Sequence, residues 1–422
     1  MFKNKFTKKE WSWILYDWAN SAYSMTVTSA ILPIYFTAMV TAAGKTSSDA
    51  TTLWGYTNSI ASIIVALLSP VLGAWADQIG MKKKLFTIFS FMGIIFTGLL
   101  GIVPYGKWVI LMIFYILTVL GFSLGNVFYD SFLTDVTEDE RMDQVSTTGF
   151  ALGYIGSTIP FILCMALIIL SQKEIIPLSV NLSTKISFII TALWWFFFTL
   201  PMYRDVEQTY GIPKVQNHPL RAFGDLKKSF IKILGHKRAF YFLLAYFFYI
   251  DGVDTIIKMA TSYGTALGLS ATVLLAVLLL TQFVAFPFAI IYGKLSNKYG
   301  PKAMIYVGVV IYTIICIYAY FIKTPRDFFI LAFLVGTSQG GIQAISRSYF
   351  ARLIPKKNSN EYFGFYNIFG KFAAIMGPFL VGFITQITGE VRNGVLSLIV
   401  LFILGFIFLN IERRVNSKRR VE

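Results

Sequence analysis

An all-α membrane protein is what the sequence predicts: twelve transmembrane helices in two six-helix halves, with both termini cytoplasmic. Three observations predict it. The 422 residues are 56% hydrophobic and only 14% charged, with a mean hydropathy of +0.65, whereas soluble domains carry about 25% charged residues. Apolar runs of about 20 residues, the length needed to cross a bilayer, recur along the whole chain. One short turn is written twice, once in each half of the chain: Gly73, Asp77, Gly80 and Lys82 within GAWADQIGMKK, and Gly293, Asn297, Gly300 and Lys302 within GKLSNKYGPK. Each copy sits between two apolar runs. Two equivalent halves are the build of secondary transporters.

The predicted spans are 12–41, 54–76, 85–104, 108–132, 146–170, 184–203, 239–263, 272–293, 302–321, 327–350, 361–387 and 393–412. The first run, Trp11 to Val40, is too long for the core of a signal peptide and lacks a cleavage site, so it reads as a span. Its Asp17, Asn20, Ser21, Ser24 and Thr28 fall at helical spacing on one face. Spans two and three flank the first hairpin. Span four ends in Tyr129-Asp130-Ser131. Span five carries Gly149, Gly153 and Gly156 with Pro160, which suit close crossings and bends. The longest connection, 204–238, separates residues 1–203 from 239–422. Its Leu220, Phe223, Leu226, Phe230, Ile233 and Leu234, with Lys227, Lys228 and Lys232 between them, predict a basic amphipathic helix on the inner leaflet, as a tether or a docking site. Span seven repeats the polar face of span one at the same internal spacing, with Asp251, Asp254, Thr255, Lys258 and Ser262. Spans eight and nine flank the second hairpin. Span ten ends in Ser346-Arg347-Ser348, the counterpart of the end of span four and opposite to it in charge. Span eleven carries Gly370, Lys371, Gly377 and Pro378.

Of the 37 Lys and Arg residues, 27 fall on the tails and alternate loops of one side, 7 on the other side and 3 within spans. The positive-inside rule then puts both termini in the cytoplasm. It also assigns the net charge of +16 to the membrane surface rather than to nucleic acid. The expected setting is a bacterial inner or plasma membrane, and the expected state a monomer among lipids. Cys164 and Cys316 lie in apolar runs without metal or redox spacing and read as packing residues. No metal or cofactor is expected. His218 and His236 both lie in the central loop, so a proton relay inside the spans must use carboxylates. Gly340-Gly341 lacks the Lys-Ser/Thr of a phosphate cradle. With neither a nucleophile–base pair nor a ligand cluster, the chain does not read as an enzyme.

A charge at mid-span costs about 2.5–3.5 kcal/mol on insertion scales, so it implies a partner, a cavity or a function. Asp17, Asp130, Asp251, Asp254, Lys258, Arg347 and Lys371 stand out. The mixture of signs suits a zwitterion, or an anion moved with protons. Asp251, about 12 residues or roughly 18 Å into span seven, and Lys371, about ten residues into span eleven, lie near the midplane, where transporters bind substrate. Asp17 and Asp251 are candidates for solute or proton binding, or else for bonds to Arg347 or Lys371. Lys371 and Arg347 are candidates for a carboxylate or another anion. Asp254 and Lys258 can also satisfy each other at i,i+4. Asp130 and Arg347 can form a pair between the halves that closes an inner gate, or can touch the solute. Asn20 joins the set as a solute contact or a helix-contact bond. In the hairpin, Gly73 permits close helix approach and Gly80 the tight turn. Asp77 can accept from the N-terminus of a neighbouring helix, and Lys82, Lys83 and Lys84 hold the turn against anionic lipid.

The two hairpins resemble the signature loop of the major facilitator superfamily. Within it, YDWANSAY (Tyr16 to Tyr23), AILPIYF (Ala30 to Phe36), DGVDTI (Asp251 to Ile256), GGIQAISRS (Gly340 to Ser348) and GFYNIFGKFAAIMGP (Gly364 to Pro378) resemble the "unknown major facilitator" family, which is similar to the fungal vacuolar effluxers linked to autophagy. The resemblance covers nearly the whole chain. It implies two six-helix bundles rocking around a central site, and export of amino acids. The expected function is secondary active transport of a small polar solute, an amino acid or related zwitterion, outward and coupled to protons, with the Asp77 hairpin stabilising the inward-closed state. A lipid or amphipathic cargo is the alternative. A non-transporting sensor or scaffold rests on the basic loop alone. Asn297 stands where the superfamily pattern has an acid, which predicts a weaker and less pH-dependent contact in the second half.

Overall fold

Side-chain caps set where the helices begin. Thr7 with Glu10, Thr46 with Asp49 and Thr324 with Asp327 form reciprocal capping boxes, which satisfy the N–H groups a helix start leaves open. The computed structural model describes residues 5–214, 231–266 and 268–418. Among these, twelve helices are long and apolar enough to cross a membrane: α1 Lys8–Ala42, α2 Ser47–Ala76, α3 Met81–Leu100, α4 Trp108–Val136, α5 Met142–Gln172, α6 Val180–Asp205, α7 Lys237–Ala260, α8 Ala276–Tyr299, α9 Pro301–Tyr320, α10 Pro325–Leu353, α11 Lys356–Thr388 and α12 Val391–Val415. The polar cap at Thr46 starts α2 well before the predicted 54, where hydropathy alone first becomes strong.

The predicted single polar face of α1 does not survive along its length. From Tyr23 to Ile31 its hydrogen bonds widen to i→i+5, which reduces the turn per residue. Ser24, within this stretch, is exposed, whereas Asp17 and Asn20 are buried.

In the first half α1 packs on α5 and α6, and α3 on α4 and α6; in the second, α7 packs on α11 and α12, and α8 and α9 on α10. The halves meet through α2 with α11 and through α5 with α8 and α10. Pairs α2–α11 and α5–α8 exchange under the internal repeat. Ile60, Ile63 and Leu67 stay exposed on one side of α2, as an apolar surface meant for lipid would.

Past α6 the chain returns beneath the first hairpin. Ile79 N–H donates to the Ile212 carbonyl at 3.0 Å and Ile212 N–H to the Asp77 carbonyl at 2.8 Å. Gln208 Oε1 accepts from Gly80 N–H at 2.9 Å. Of the predicted amphipathic helix, Leu220, Phe223, Leu226, Lys227, Lys228 and Phe230 lie outside the described residues. Lys232, Ile233 and Leu234 form a helical turn before α7, where Lys232 Nζ meets Glu361 at 2.7 Å.

Candidate functional site

The two halves are joined by polar contacts near the face where α1 begins and α12 ends, called here the terminal face. The first hairpin supplies one gate. Gly73 lies so close to α11 that a Cβ there would strike the Asn360 backbone. Gly80 takes φ +82 and Gly300 φ +87, the left-handed turns their places require. Asp77 accepts from the Asn360 N–H and side-chain amide, both at 2.9 Å, and from the Glu361 N–H at 3.1 Å. Its carboxylate thus caps the first turn of α11. Burial pushes the Asp77 carboxyl up to about 7, against the pull of Asn360, Lys82 and the two backbone N–H groups.

Lys82 corrects an expectation. It is fully buried, 2.6 Å from Asp135 and 3.0 Å from the Ser359 hydroxyl, and it touches no lipid. A lysine beside a glycine turn looks exposed in sequence; here the tail of α4 folds under it. Lys83 pairs with Glu207 at 3.1 Å, and Lys84 is exposed.

The second hairpin forms a gate with the polarity reversed. Gly293 abuts Thr147 of α5. Asn297 is exposed; the residue seated in the interface is Ser296, whose hydroxyl donates to Asp143 at 2.6 Å. Asp143 also accepts from Ser348 at 2.5 Å and pairs with Arg352 at 2.9 Å. Here the acid stands on the first turn of α5 and the hairpin brings the donor. Lys302 turns away from the gate to Glu412, which also holds Arg238 and the Tyr349 hydroxyl.

Between the gates Arg347 of α10 reaches into the first half. Its Nη2 is 3.0 Å from Asp17, its Nη1 3.0 Å from Asp130 and its Nε 3.0 Å from the Ser146 hydroxyl. The guanidinium lies over the rings of Trp13 and Phe150, at 4.6 and 4.5 Å. Gly149 leaves the space that the Asp17 carboxylate fills. Two acids and one cation give this triad a formal charge of −1.

Further from the terminal face, Asp254, Lys258 and Lys371 act electrostatically on one another and carry a formal +1. Asp251 stands apart from them in contact: it is 0% exposed and accepts from the Gly377 N–H at 2.9 Å. Asn20 is spent within its own half, donating to Asn126 at 2.7 Å. A cavity of about 210 Å³ is bounded by Asp130, Phe150, Tyr246, Ile250, Asp254, Gln343, Arg347 and Tyr366, so it touches the first group through Asp130 and Arg347 and the second through Asp254.

Sequence reasoning missed Asp135, Asp143, Ser296, Arg352 and Asn360. One signal was available. Asp143 and Asn360 are as far apart in the sequence as Asp130 and Arg347, so the repeat superposes the acid of one gate on the amide of the other.

The chain resembles known proteins along nearly its full length. The family model "Vacuole effluxer Atg22 like" matches residues 47–141 and 134–422. The uncharacterized MFS-type transporter YxiO of Bacillus subtilis (strain 168) is 52% identical over 405 residues, covering 96% of this chain and 95% of that one. Autophagy-related protein 22 of Vanderwaltozyma polyspora is 26% identical over 404 residues, covering 83% and 76%. Among solved structures, the human organic anion transporter MFSD10 superposes with a TM-score of 0.74 at 12% identity, over 95% of this chain and 99% of that one. The major facilitator transporter FucP, in an outward conformation, gives 0.67 at 13% identity over 97% and 99%. With twelve membrane-crossing helices in the major facilitator fold and a family match spanning both halves, the chain belongs to the Atg22-like vacuole effluxer family of major facilitator transporters.

Proposed function

We propose that this transporter moves a small zwitterion, an amino acid or a close relative, by rocking its two halves about the central cavity. The observation that carries the reading is that one cavity touches two charged groups of opposite net sign, through Asp130 and Arg347 on one and Asp254 on the other. Asp17, Asp130 and Arg347 together carry a net −1, and Asp254, with the two lysines that act on it, Lys258 and Lys371, a net +1. An ammonium group is favoured beside Asp130, and a carboxylate beside Lys371 and Lys258. Arg347 is already saturated by two carboxylates and Ser146, so in this conformation the anion site falls to the lysines. A solute with one charge only would leave one group uncompensated, at a cost the low-dielectric interior makes large.

The closed terminal-face gates support a state open toward the opposite side. The Lys and Arg asymmetry of 27 against 7 supports a terminal face in the cytoplasm of a bacterial plasma membrane. The effluxer name of the matching family supports outward movement. Proton coupling and a monomeric working unit complete the reading. A second reading, an amphipathic cargo, has one observation in its favour: an apolar hollow of about 70 Å³ in the second half, lined by Ile256, Met259, Tyr263, Leu331 and Val335 among others.

Purified protein in liposomes decides between them by counterflow. Liposomes loaded with unlabelled alanine, leucine, lysine, glutamate, citrate, fucose or lysophospholipid are tested for exchange with the labelled compound. Exchange of neutral zwitterions, with citrate and fucose silent, is expected. Exchange of citrate, fucose or lysophospholipid with every zwitterion silent refutes the proposal.

A further inference from the structure

Asp17 and Asp251 hold matched places in the polar faces of α1 and α7, yet they are held differently. Asp17 meets Arg347 across the interface. Asp251 is fully buried and makes no ion pair among the described residues. Its Oδ1 accepts from the Gly377 N–H at 2.9 Å and from the Thr255 hydroxyl at 3.4 Å. Its Oδ2 is buried with no hydrogen-bond partner. A buried carboxylate oxygen left open is costly, and calls for an explanation.

The donor's position suggests one. Gly377 directly precedes Pro378 in the interior of α11. A Cβ at 377 would collide with Thr255 and lie 2.7 Å from Asp251 Oδ1, so only glycine admits the carboxylate to this backbone. Pro378 supplies no N–H, and helices bend at such places. The first turn of this same helix is the one Asp77 caps. One rigid arm therefore links the Asp251 carboxylate to the gate.

We propose that Asp251 is the coupling-proton site, and that it acts as a positioning residue on α11. Ionised, it pins the Gly377 N–H and keeps α11 in the shape that meets Asp77. A proton taken onto the open Oδ2 turns a charge-assisted bond into a neutral one, about half as strong. The bend at Gly377-Pro378 is then free, and the first turn of α11 withdraws from the gate. The charged groups around Asp251 are Asp254 and Lys258 on its own helix, opposite in sign. On α11 the nearest in sequence is Lys371; α12 presents Phe402 at Gly252, and α10 presents Ser346 to Tyr249.

The test uses no solute, so its failure leaves the zwitterion reading standing, and failure of that reading leaves this one standing. Spin labels are placed at S48C and T388C, exposed residues at the far ends of α2 and α11, and their separation is measured by double electron–electron resonance. The parent carries C164A and C316A to remove the native thiols, and D77N because Asp77 ionises too. Lowering the pH from about 8.5 to about 4.5 is expected to move population from the long to the short separation, by up to about tenfold per pH unit for one proton. Adding D251N, which keeps an acceptor for Gly377 but cannot ionise, is expected to abolish the shift. A parent that does not respond to pH, or a D251N chain that responds as its parent does, overturns the proposal. Should D251N not purify as a monodisperse protein, T255V decides. Loss of the hydroxyl donor raises the midpoint of the transition; an unmoved midpoint overturns the proposal.

Discussion

Arg347 is the residue whose loss the closed gate tolerates least, and the size of the effect follows from its contacts. Its side chain is 4% exposed and faces Asp17 and Asp130 at 3.0 Å each. Replacing Arg347 by Gln strands two buried carboxylates. Removing one partner of a buried pair costs about 3–5 kcal/mol. That cost falls on the closed form, because opening the terminal face lets water reach both acids. At about 1.4 kcal/mol per decade, the open-to-closed ratio rises roughly 10²- to 4 × 10³-fold. Gln343, one turn from Arg347 along α10, lines the cavity and is shielded from the terminal face by the triad. A cysteine at 343, in a C164A/C316A chain, reports opening by its rate of reaction with an impermeant maleimide applied from that face. R347Q is expected to label far faster than its parent. D17N/D130N/R347Q, which also removes the stranded acids, is expected to slow again by at least about tenfold. Equal rates for R347Q and its parent, or a triple variant as fast as R347Q, refute the argument.

The same maleimide assay reads three further expectations, and counterflow a fourth. The Asp77 carboxyl, raised to about 7 in the closed gate from an ordinary value near about 3.9, takes up a proton on closure. Its contribution to closure is full below about pH 4 and is lost as the pH rises through about 7, so in a D251N chain, which lacks the opposing response of Asp251, labelling quickens with pH by more than thiol ionisation alone gives, and adding D77N leaves only the thiol's own rise. Gly73→Ala drives a Cβ into the Asn360 backbone, which cannot yield as a side chain could. An overpacking cost of about 1–3 kcal/mol predicts a roughly 5- to 150-fold shift toward the open form, while Gly382→Ala, with nothing within 4 Å of its new Cβ, leaves the rate unchanged. Asp143→Asn weakens the reversed gate, losing the Arg352 pair, and is expected to speed labelling less than R347Q does. If the proposed zwitterion is the solute, Lys371→Met removes a charge that attracts its carboxylate, so the half-saturating concentration of the amino acid that exchanges is expected to rise about 10- to 100-fold, with no change in gate labelling.

Helix number and the hairpin glycines were legible because hydropathy and φ > 0 leave direct marks on a sequence. Buried charge was legible too: Asp17, Asp130 and Arg347 were each marked by being costly in a span. Their grouping was not, since one arginine between two acids depends on how α1, α4 and α10 converge. Lys82 was misread for the same reason. Its neighbours suggest a lipid-facing turn, but its partner, Asp135, lies far along the chain at the end of α4. Asp251 shows the opposite limit. Nothing in its surroundings on α7 marks a bond to the backbone of α11, although Gly377 before Pro378 was visible as a pair. Asn297 was read from the motif, when the contact belongs to Ser296 beside it; the rotation of α8 against α5 chooses between adjacent residues, and no spacing rule resolves one position.

The repeat explains why the gates differ in sign. Two identical halves would offer identical surfaces, and an acid on one would face an acid on the other. In this chain the first half brings carboxylates to the interface: Asp17, Asp77, Asp130, Asp139 and Asp143. The second half brings donors: Arg347, Arg352, Lys356, Ser296 and the N–H groups of Asn360 and Glu361. Where the first half has Asp77 the second has Asn297, and where the second has Asn360 the first has Asp143. The charge therefore stays on the same half even though the geometry is inverted. Like charges set against each other are the cheapest way to reject a wrong pairing, so the asymmetry selects first half against second over either half against its own copy. It also concentrates on one seam the contacts that must break together when the halves rock. A change of charge on one half would therefore act on the whole seam at once.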